Sequence, residues 1–179
     1  MSNKSNIRIV FFIGSLRSGG KERRLIELLT FLKKESCYDM LLVMTKNEIH
    51  YQSFYELGIP CHIMKKESKK DVLNVFFQFY KVCNQFKPNI LHTWGRIQTF
   101  YALPSVILNK FPLINSQITA APPKRSKFSY FNFIVRVNFH FSKFVLSNSK
   151  AGIAAYKPPI KKSRVIYNGL NFSRILNLL

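Results

Sequence analysis

The chain has 179 residues, 47% of them hydrophobic, enough to bury the core of one domain without disulfides or metals and too apolar for a disordered segment. Twenty-eight Lys and Arg against eight Asp and Glu give a net charge of +20, which predicts attraction to polyanions: nucleic acid, anionic lipid or phosphorylated substrates. No apolar run is long enough to span a bilayer, and no signal-peptide pattern opens the chain, so the expected compartment is the cytoplasm.

Cys37, Cys61 and Cys83 are odd in number and far apart, which predicts reduced thiols rather than a disulfide framework. His50, His62, His92 and His140 show no metal-ligand spacing, so no metal site is expected.

In chain order, Ile7–Ile13 is a β-branched and aromatic run that reads as a buried strand. Lys21–Lys34 follows a glycine-bearing loop, and Leu25, Leu28, Leu29 and Leu32 recur at helical spacing. Met40–Met44 predicts a second strand, Tyr51–Leu57 a short helix that Gly58 terminates, and Pro60–Met64 a third strand. Asp71–Phe86 predicts a helix with Asp71 as N-cap and Val72, Val75, Phe76, Phe79, Val82, Cys83 and Phe86 on its buried side. Asn89–Trp94 is a fourth strand, and Ile97–Asn109 a helix expected to be interrupted near Pro104. Leu113–Thr119 is a fifth strand, followed by a basic, proline-bearing loop and a helix at Tyr130–Phe141. Phe144–Ser149, Lys150–Tyr156 and Arg164–Tyr167 predict a strand, a short helix and a last strand.

This alternation predicts an α/β fold, a Rossmann-like parallel sheet with helices on both faces. Ligands of such sheets sit at the carboxyl ends of the strands. The loops that matter are therefore those after Ile13, Trp94, Thr119 and Ser149.

Four segments carry candidate chemistry. The loop from Gly14 to Lys21 leaves a strand and opens a helix, where glycines and free N–H groups favour an anion. It matches neither a P-loop, since Gly20 takes the place of the lysine, nor the dinucleotide fingerprint; a plain turn remains the alternative. In Lys87-Pro-Asn-Ile-Leu-His-Thr-Trp-Gly95, His92 lies near the end of a strand and Trp94 beside it can stack on a sugar; a bonded strand histidine and a core indole are the alternative. Ser147-Asn148-Ser149-Lys150-Ala151 reads as a strand end or a helix cap, and Val165-Ile-Tyr-Asn-Gly169 as a strand ending in a turn.

Taken together, Gly19-Gly20-Lys21-Glu22, "PNILHTWG", "VLSNSKAG", "RVIYNGLNFSRI" and Glu56-Leu-Gly-Ile-Pro60 resemble the N-terminal half of GT-B glycosyltransferases of the family 4 type. The resemblance implies two Rossmann-like domains across a cleft and retaining transfer, without a metal or cofactor, from a nucleotide-sugar to a glycan or lipid-linked acceptor. On that pattern residues 1–168 form the acceptor-side domain and 169–179 begin a hinge, the second, donor-binding domain being absent and the chain inactive alone. Carried over, Gly19 and Gly20 face the donor diphosphate, His92 is the catalytic candidate, and Trp94, Gly95, Arg96, Thr119 and Ser149 face acceptor or sugar. The chain departs from the pattern at Trp94, where the family has a second histidine, at Asn89, and at Gln117-Ile-Thr119. Glu48 and Glu56 have the spacing of the family's donor-binding glutamates but fall in the wrong half.

The resemblance also implies partners: the nucleotide-sugar, the acceptor, a separate chain carrying the second domain, and peripheral contact with an anionic membrane. The competing reading is a basic α/β binding module on membrane or nucleic acid, from the interleaved aromatic and basic residues of Lys124–Lys143, with Lys65–Lys70 and Phe128–Phe141 as the places where charge reversal tests membrane docking. No nucleic-acid module is recognisable in the residues, which favours the membrane version. A third reading is a remnant without activity.

Overall fold

The computed structural model describes residues 6–65, 71–118 and 129–169. Its elements alternate along the chain. They are β1 (Ile7–Ile13), α1 (Gly20–Lys34), β2 (Tyr38–Met44), α2 (Gln52–Glu56), β3 (Cys61–Ile63), α3 (Val72–Phe86), β4 (Ile90–Trp94), α4 (Arg96–Asn109), β5 (Leu113–Ile118), α5 (Tyr130–Phe141), β6 (Phe144–Ser147), α6 (Lys150–Tyr156) and β7 (Ser163–Val165), with a single 3-10 turn at Ile160–Lys162 before β7.

The seven strands form one sheet in the order β3-β2-β1-β4-β5-β6-β7, and every pairing is parallel. The sheet thus grows from β1 in one direction as far as β3, and from β4 in the other as far as β7. Because strand-helix-strand crossovers are right-handed, reversing the direction of growth moves the helices to the opposite face. One face accordingly packs α1 and α2 through Leu25, Ile26, Leu29 and Phe54 onto Ile9, Phe11, Ile13, Met40, Leu42 and Met44. The other packs α3 and α4 through Val75, Phe79, Tyr101, Ala102 and Val106 onto Val10, Phe12, Val43, Leu91 and Leu113. Side chains that alternate along β1 divide between these two layers, as the period-2 pleat requires. A smaller cluster ties α5 to the β5–β6 end of the sheet through Val135, Phe139, Ile118 and Val145, with Ile153 and Tyr156 of α6 packed against it.

Two sequence-based expectations need correction. Helix α4 is not interrupted: it runs unbroken through Pro104. A proline there removes one backbone donor, but Tyr101, Ala102, Leu103 and Val106 are all buried, and that packing holds the helix across the lost bond. Asp71 does stand at the N-cap of α3, but its side chain bonds no backbone N–H there; its carboxylate instead accepts from Asn74 Nδ2 at 2.8 Å. Strand ends also move: β6 stops at Ser147 rather than Ser149, and β7 covers Ser163–Val165. Thr119, Lys66, Lys69, Lys70, Lys124, Arg125 and Lys127 lie outside the described residues.

Candidate functional site

The carboxyl ends of β1 and β4 neighbour each other, and the two turns that leave them build the site. The turn after β1 is pinned to the segment between β2 and α2. Thr45 and Lys46 donate their N–H groups to Gly14 O at 3.2 and 3.0 Å, and Leu16 N–H donates to Glu48 O at 2.8 Å. Gly19 N–H donates to Tyr51 Oη at 3.2 Å, while the Tyr51 hydroxyl donates to Gly19 O at 2.9 Å. The start of α1 is therefore held from outside the helix, since no side chain caps it. Space is open where a Cβ would stand on Gly20. Gly20, Lys21, Glu22 and Arg24 border a recess of about 340 Å³ that Asn148 and Asn168 close from the other side. Lys21 pairs with Glu22 at 3.1 Å.

A second cavity, about 360 Å³, is an apolar groove along the sheet face beside α1, with Phe11, Leu28, Ile114 and Leu146 in its walls. His92 and Trp94 both line it, and Arg24 joins it to the first recess. His92 is buried, its ring 5.0 Å from that of Trp94 and 5.5 Å from that of Phe11. Its Nε2 stands 2.8 Å from Ser116 Oγ. Burial, followed by the nearby Arg24 charge, pushes the imidazole down to about 3, so His92 is neutral at neutral pH. In this setting it is a hydrogen-bonding group and a poor proton acceptor. Trp94 is only 3% exposed, and its Nε1 has no hydrogen-bond partner among the described residues. The Arg24 guanidinium carbon lies 5.5 Å from the centre of the indole, and burial of that guanidinium lowers its affinity for its proton.

The third recess, about 410 Å³, opens at the amino end of α4, with Lys21, Gly95, Arg96, Gln98, Gln117 and Tyr156 at its rim and walls. Gly95 has φ 143°, in the left-handed region that favours glycine. Any Cβ there would collide with the Gln98 side-chain oxygen. The turn is locked from beneath. Gly95 O accepts from Thr99 N–H at 2.9 Å and from Thr99 Oγ1 at 2.8 Å, and Thr99 Oγ1 lies 2.8 Å from Thr93 Oγ1. Asn115 Nδ2 donates to Ser142 Oγ at 3.1 Å, extending this buried polar layer under the sheet edge. The Arg96 guanidinium carbon sits 4.2 Å from the centre of the Phe131 ring. Burial raises the Tyr156 hydroxyl, with the Arg96 charge pulling the other way.

The residues singled out from sequence fall into separate places. Gly20 borders the first recess, with Gly19 immediately before it; His92 and Trp94 belong to the groove; Gly95 and Arg96 belong to the third recess. Ser149 caps α6, accepting from Gly152 N–H at 3.0 Å, and borders none of the three. Helix α1 borders all three cavities, with Lys21 at the first and third and Arg24 at the first and second, and Asn168 also lines both the first and the second. Arg24 was not singled out from sequence, because a cation on an amphipathic helix reads as solvated surface. Asn138 was missed too, though its side chain donates to Arg96 O at 2.9 Å; an asparagine on an apolar helix face was the available signal.

No protein-family model matches the chain, and no curated protein matches it by sequence. Solved structures do match it. Anabaena HepE in complex with UDP-glucose superposes with a TM-score of 0.73 at 14% identity, over 94% of this chain and 45% of that one. The lipopolysaccharide outer core galactosyltransferase WaaB gives 0.72 at 15% identity, over 93% of this chain and 47% of that one. Acinetobacter baumannii MurG gives 0.66 at 11% identity, over 92% and 46%. The chain spans about half the length of these structures. At such low identity the likeness establishes the fold: a Rossmann-like α/β domain of the kind found in GT-B proteins.

Proposed function

We propose that this chain is the acceptor-side domain of a retaining, metal-independent glycosyltransferase of the family 4 type. Transfer from a nucleotide-sugar then requires a second, donor-binding domain, in the same polypeptide or on a separate chain. The observation that carries the reading is the pair of glycine turns, Gly19-Gly20 and Gly95, at the carboxyl edge of adjacent strands, each opening a helix beside a polar recess. Backbone N–H groups at the start of α1 suit a diphosphate, and HepE, which shares the fold, has been crystallised with UDP-glucose. His92, neutral and bonded to Ser116, is suited to holding a sugar hydroxyl rather than to taking a proton.

The test is reconstitution. The chain is purified alone and together with a domain that carries a basic pair and a glutamate-x7-glutamate segment, encoded in an adjoining frame. Nucleotide release from UDP- and GDP-sugars is then followed, and the anomeric configuration of the product is read by NMR. Turnover is expected only from the combination, with retention. Turnover by the chain alone would overturn the need for a second domain, and inversion would overturn the mechanism.

Contact with an anionic membrane is part of the same proposal, and one observation favours it. Tyr130 and Phe133 of α5 are 70% and 61% exposed, on a helix that also exposes Arg136, an aromatic and basic face suited to a lipid surface. No described helix is long and apolar enough to cross a membrane. Sedimentation with anionic liposomes, comparing the chain with a Tyr130→Ser/Phe133→Ser variant, tests this; unchanged binding would remove the idea.

A further inference from the structure

All eight Asp and Glu of the sequence fall at or before Asp71. Helices α3 to α6 and strands β4 to β7 therefore carry Lys and Arg with no Asp or Glu among them. In parallel strand-helix-strand units each helix runs back to the edge where the next strand begins. The ends of α3, α4, α5 and α6 thus gather at the amino edge of this half-sheet, opposite the glycine turns. Lys87, Lys110, Lys143 and Lys161 stand within three residues of the starts of β4, β5, β6 and β7, and Lys157 follows α6. All five are exposed, and none is in an ion pair among the described residues. Neighbouring strands lie about 4.8 Å apart, so the row runs about 14 Å along the edge. Glu35 and Asp39 stand near the start of β2, on the other side of β1 from β4.

Three of these lysines stand where the backbone favours another residue. Lys87, Lys110 and Lys157 follow α3, α4 and α6 at φ 50°, 56° and 49°, and they are the non-glycine residues with positive φ among those described. Such left-handed helix ends ordinarily take glycine or asparagine. Offsetting the helix dipole explains a cation at a helix end, but not the absence of every acid from the same half of the fold. Apolar side chains stand among the lysines. Leu108, in the last turn of α4, is 67% exposed, and Ile160, at the start of the 3-10 turn, 84%. Phe141, the last residue of α5, is also exposed. Lys162 Nζ ties the 3-10 turn to that helix end, donating to Phe139 O and His140 O at 3.3 and 2.6 Å. Protruding apolar groups among lysines suit the headgroup layer of an anionic bilayer, whereas single-stranded nucleic acid favours flat aromatic platforms and arginine.

We infer that the amino edge of the β4–β7 half-sheet is a docking surface for an anionic lipid bilayer, its lysines meeting lipid phosphates while Leu108, Phe141 and Ile160 enter the headgroup layer. The inference rests on the membrane contact proposed above, shares α5 with it through Phe141, and adds a second, more basic surface. Docked in this way, the carboxyl edge with its glycine turns points away from the bilayer.

Sedimentation of the full chain with vesicles of phosphatidylserine and phosphatidylcholine in equal parts, and with phosphatidylcholine vesicles, tests it. The informative variant is Lys87→Gly/Lys110→Gly/Lys157→Gly. Glycine suits all three backbone positions, so its thermal melt should be unchanged or raised. Its affinity for the anionic vesicles should nonetheless fall by about tenfold or more, at roughly fivefold for each lysine near the surface. Leu108→Ser/Ile160→Ser should also weaken binding by about tenfold, through the loss of two aliphatic side chains that the lipid would bury. Should the glycine variant fail to fold, Lys143→Gln/Lys161→Gln is read in its place with the same expectation. Unchanged binding by the lysine variant or by the serine variant overturns the inference, as does equal binding of the wild-type chain to both kinds of vesicle. Tighter binding to a DNA duplex than to anionic vesicles, lost in the glycine variant, would give the edge to nucleic acid instead. Tyr130→Ser/Phe133→Ser is run alongside: loss in that variant alone upholds the α5 contact and removes the edge, and loss in the edge variants alone does the reverse.

Discussion

His92 Nε2 lies 2.8 Å from Ser116 Oγ across the β4–β5 boundary, with both residues buried. This contact joins a titratable ring to the groove floor, and the ring is held neutral down to about pH 3. The unfolded chain takes up that proton near 6.5, so between those values it binds more protons than the folded one. Stability is therefore complete above about pH 6.5 and declines as the pH falls toward 3, by up to about 1.4 kcal/mol per unit from this residue. Urea midpoints measured from pH 7 to pH 4 should fall, and His92→Gln should flatten much of that fall. A slope unchanged in the variant would assign the acid sensitivity elsewhere.

Phe12 and Phe79 stack with centroids 4.4 Å apart and planes within 14°, both fully buried between β1 and α3. Phe79→Ala should cost about 3–5 kcal/mol, the range for a large side chain deleted from a packed core. Equilibrium unfolding in denaturant measures it. A loss under 1 kcal/mol would mean that the layer between sheet and α3 collapses around the missing ring.

The two glycine turns predict opposite responses to alanine. At Gly95, φ 143° should make Gly95→Ala cost about 1–3 kcal/mol, while the end of the Gln98 side chain that a Cβ would meet must turn aside and reshape the recess at α4. At Gly20, the first residue of α1, nothing lies within 4 Å of a new Cβ. There Gly20→Ala should leave stability unchanged or raise it by about 0.5–1 kcal/mol, yet lower transfer by the reconstituted enzyme, since the methyl group stands where a diphosphate would approach. Thermal melts and nucleotide release, measured on the same preparations, separate the two effects.

Burial pushes the Cys83 thiol up to about 12, whereas Cys37 and Cys61 are exposed. Two thiols should react with a thiol reagent in native buffer at pH 8 and the third only after unfolding, because the thiolate is the reactive species. Fast reaction of all three would mean that α3 opens readily from the sheet.

The order and kind of nearly every element were readable in the residues, since β-branched runs and helical leucine spacing act over a few neighbours. Tyr130–Phe141 and Lys150–Tyr156 appear with the limits expected of them. The parallel α/β architecture also follows, because short loops and right-handed crossovers leave few other arrangements. Pro104 marks where local reasoning fails: a residue that breaks an isolated helix is carried by burial on both sides of it. For the site, glycines at strand ends were legible because the turns need them, but the partition of His92 and Trp94 into an apolar groove, away from Gly95 and Arg96, was not. It depends on which face of the sheet each side chain occupies and on which helix covers that face. The same holds for Gln117, polar in the sequence but buried in the fold, where its side-chain oxygen accepts from Asn138, 21 residues away. Sequence determined which groups are present and in what order along the sheet; tertiary packing decided which are dry, which are paired and which face a cavity, because burial and hydrogen bonding depend on neighbours distant in the chain.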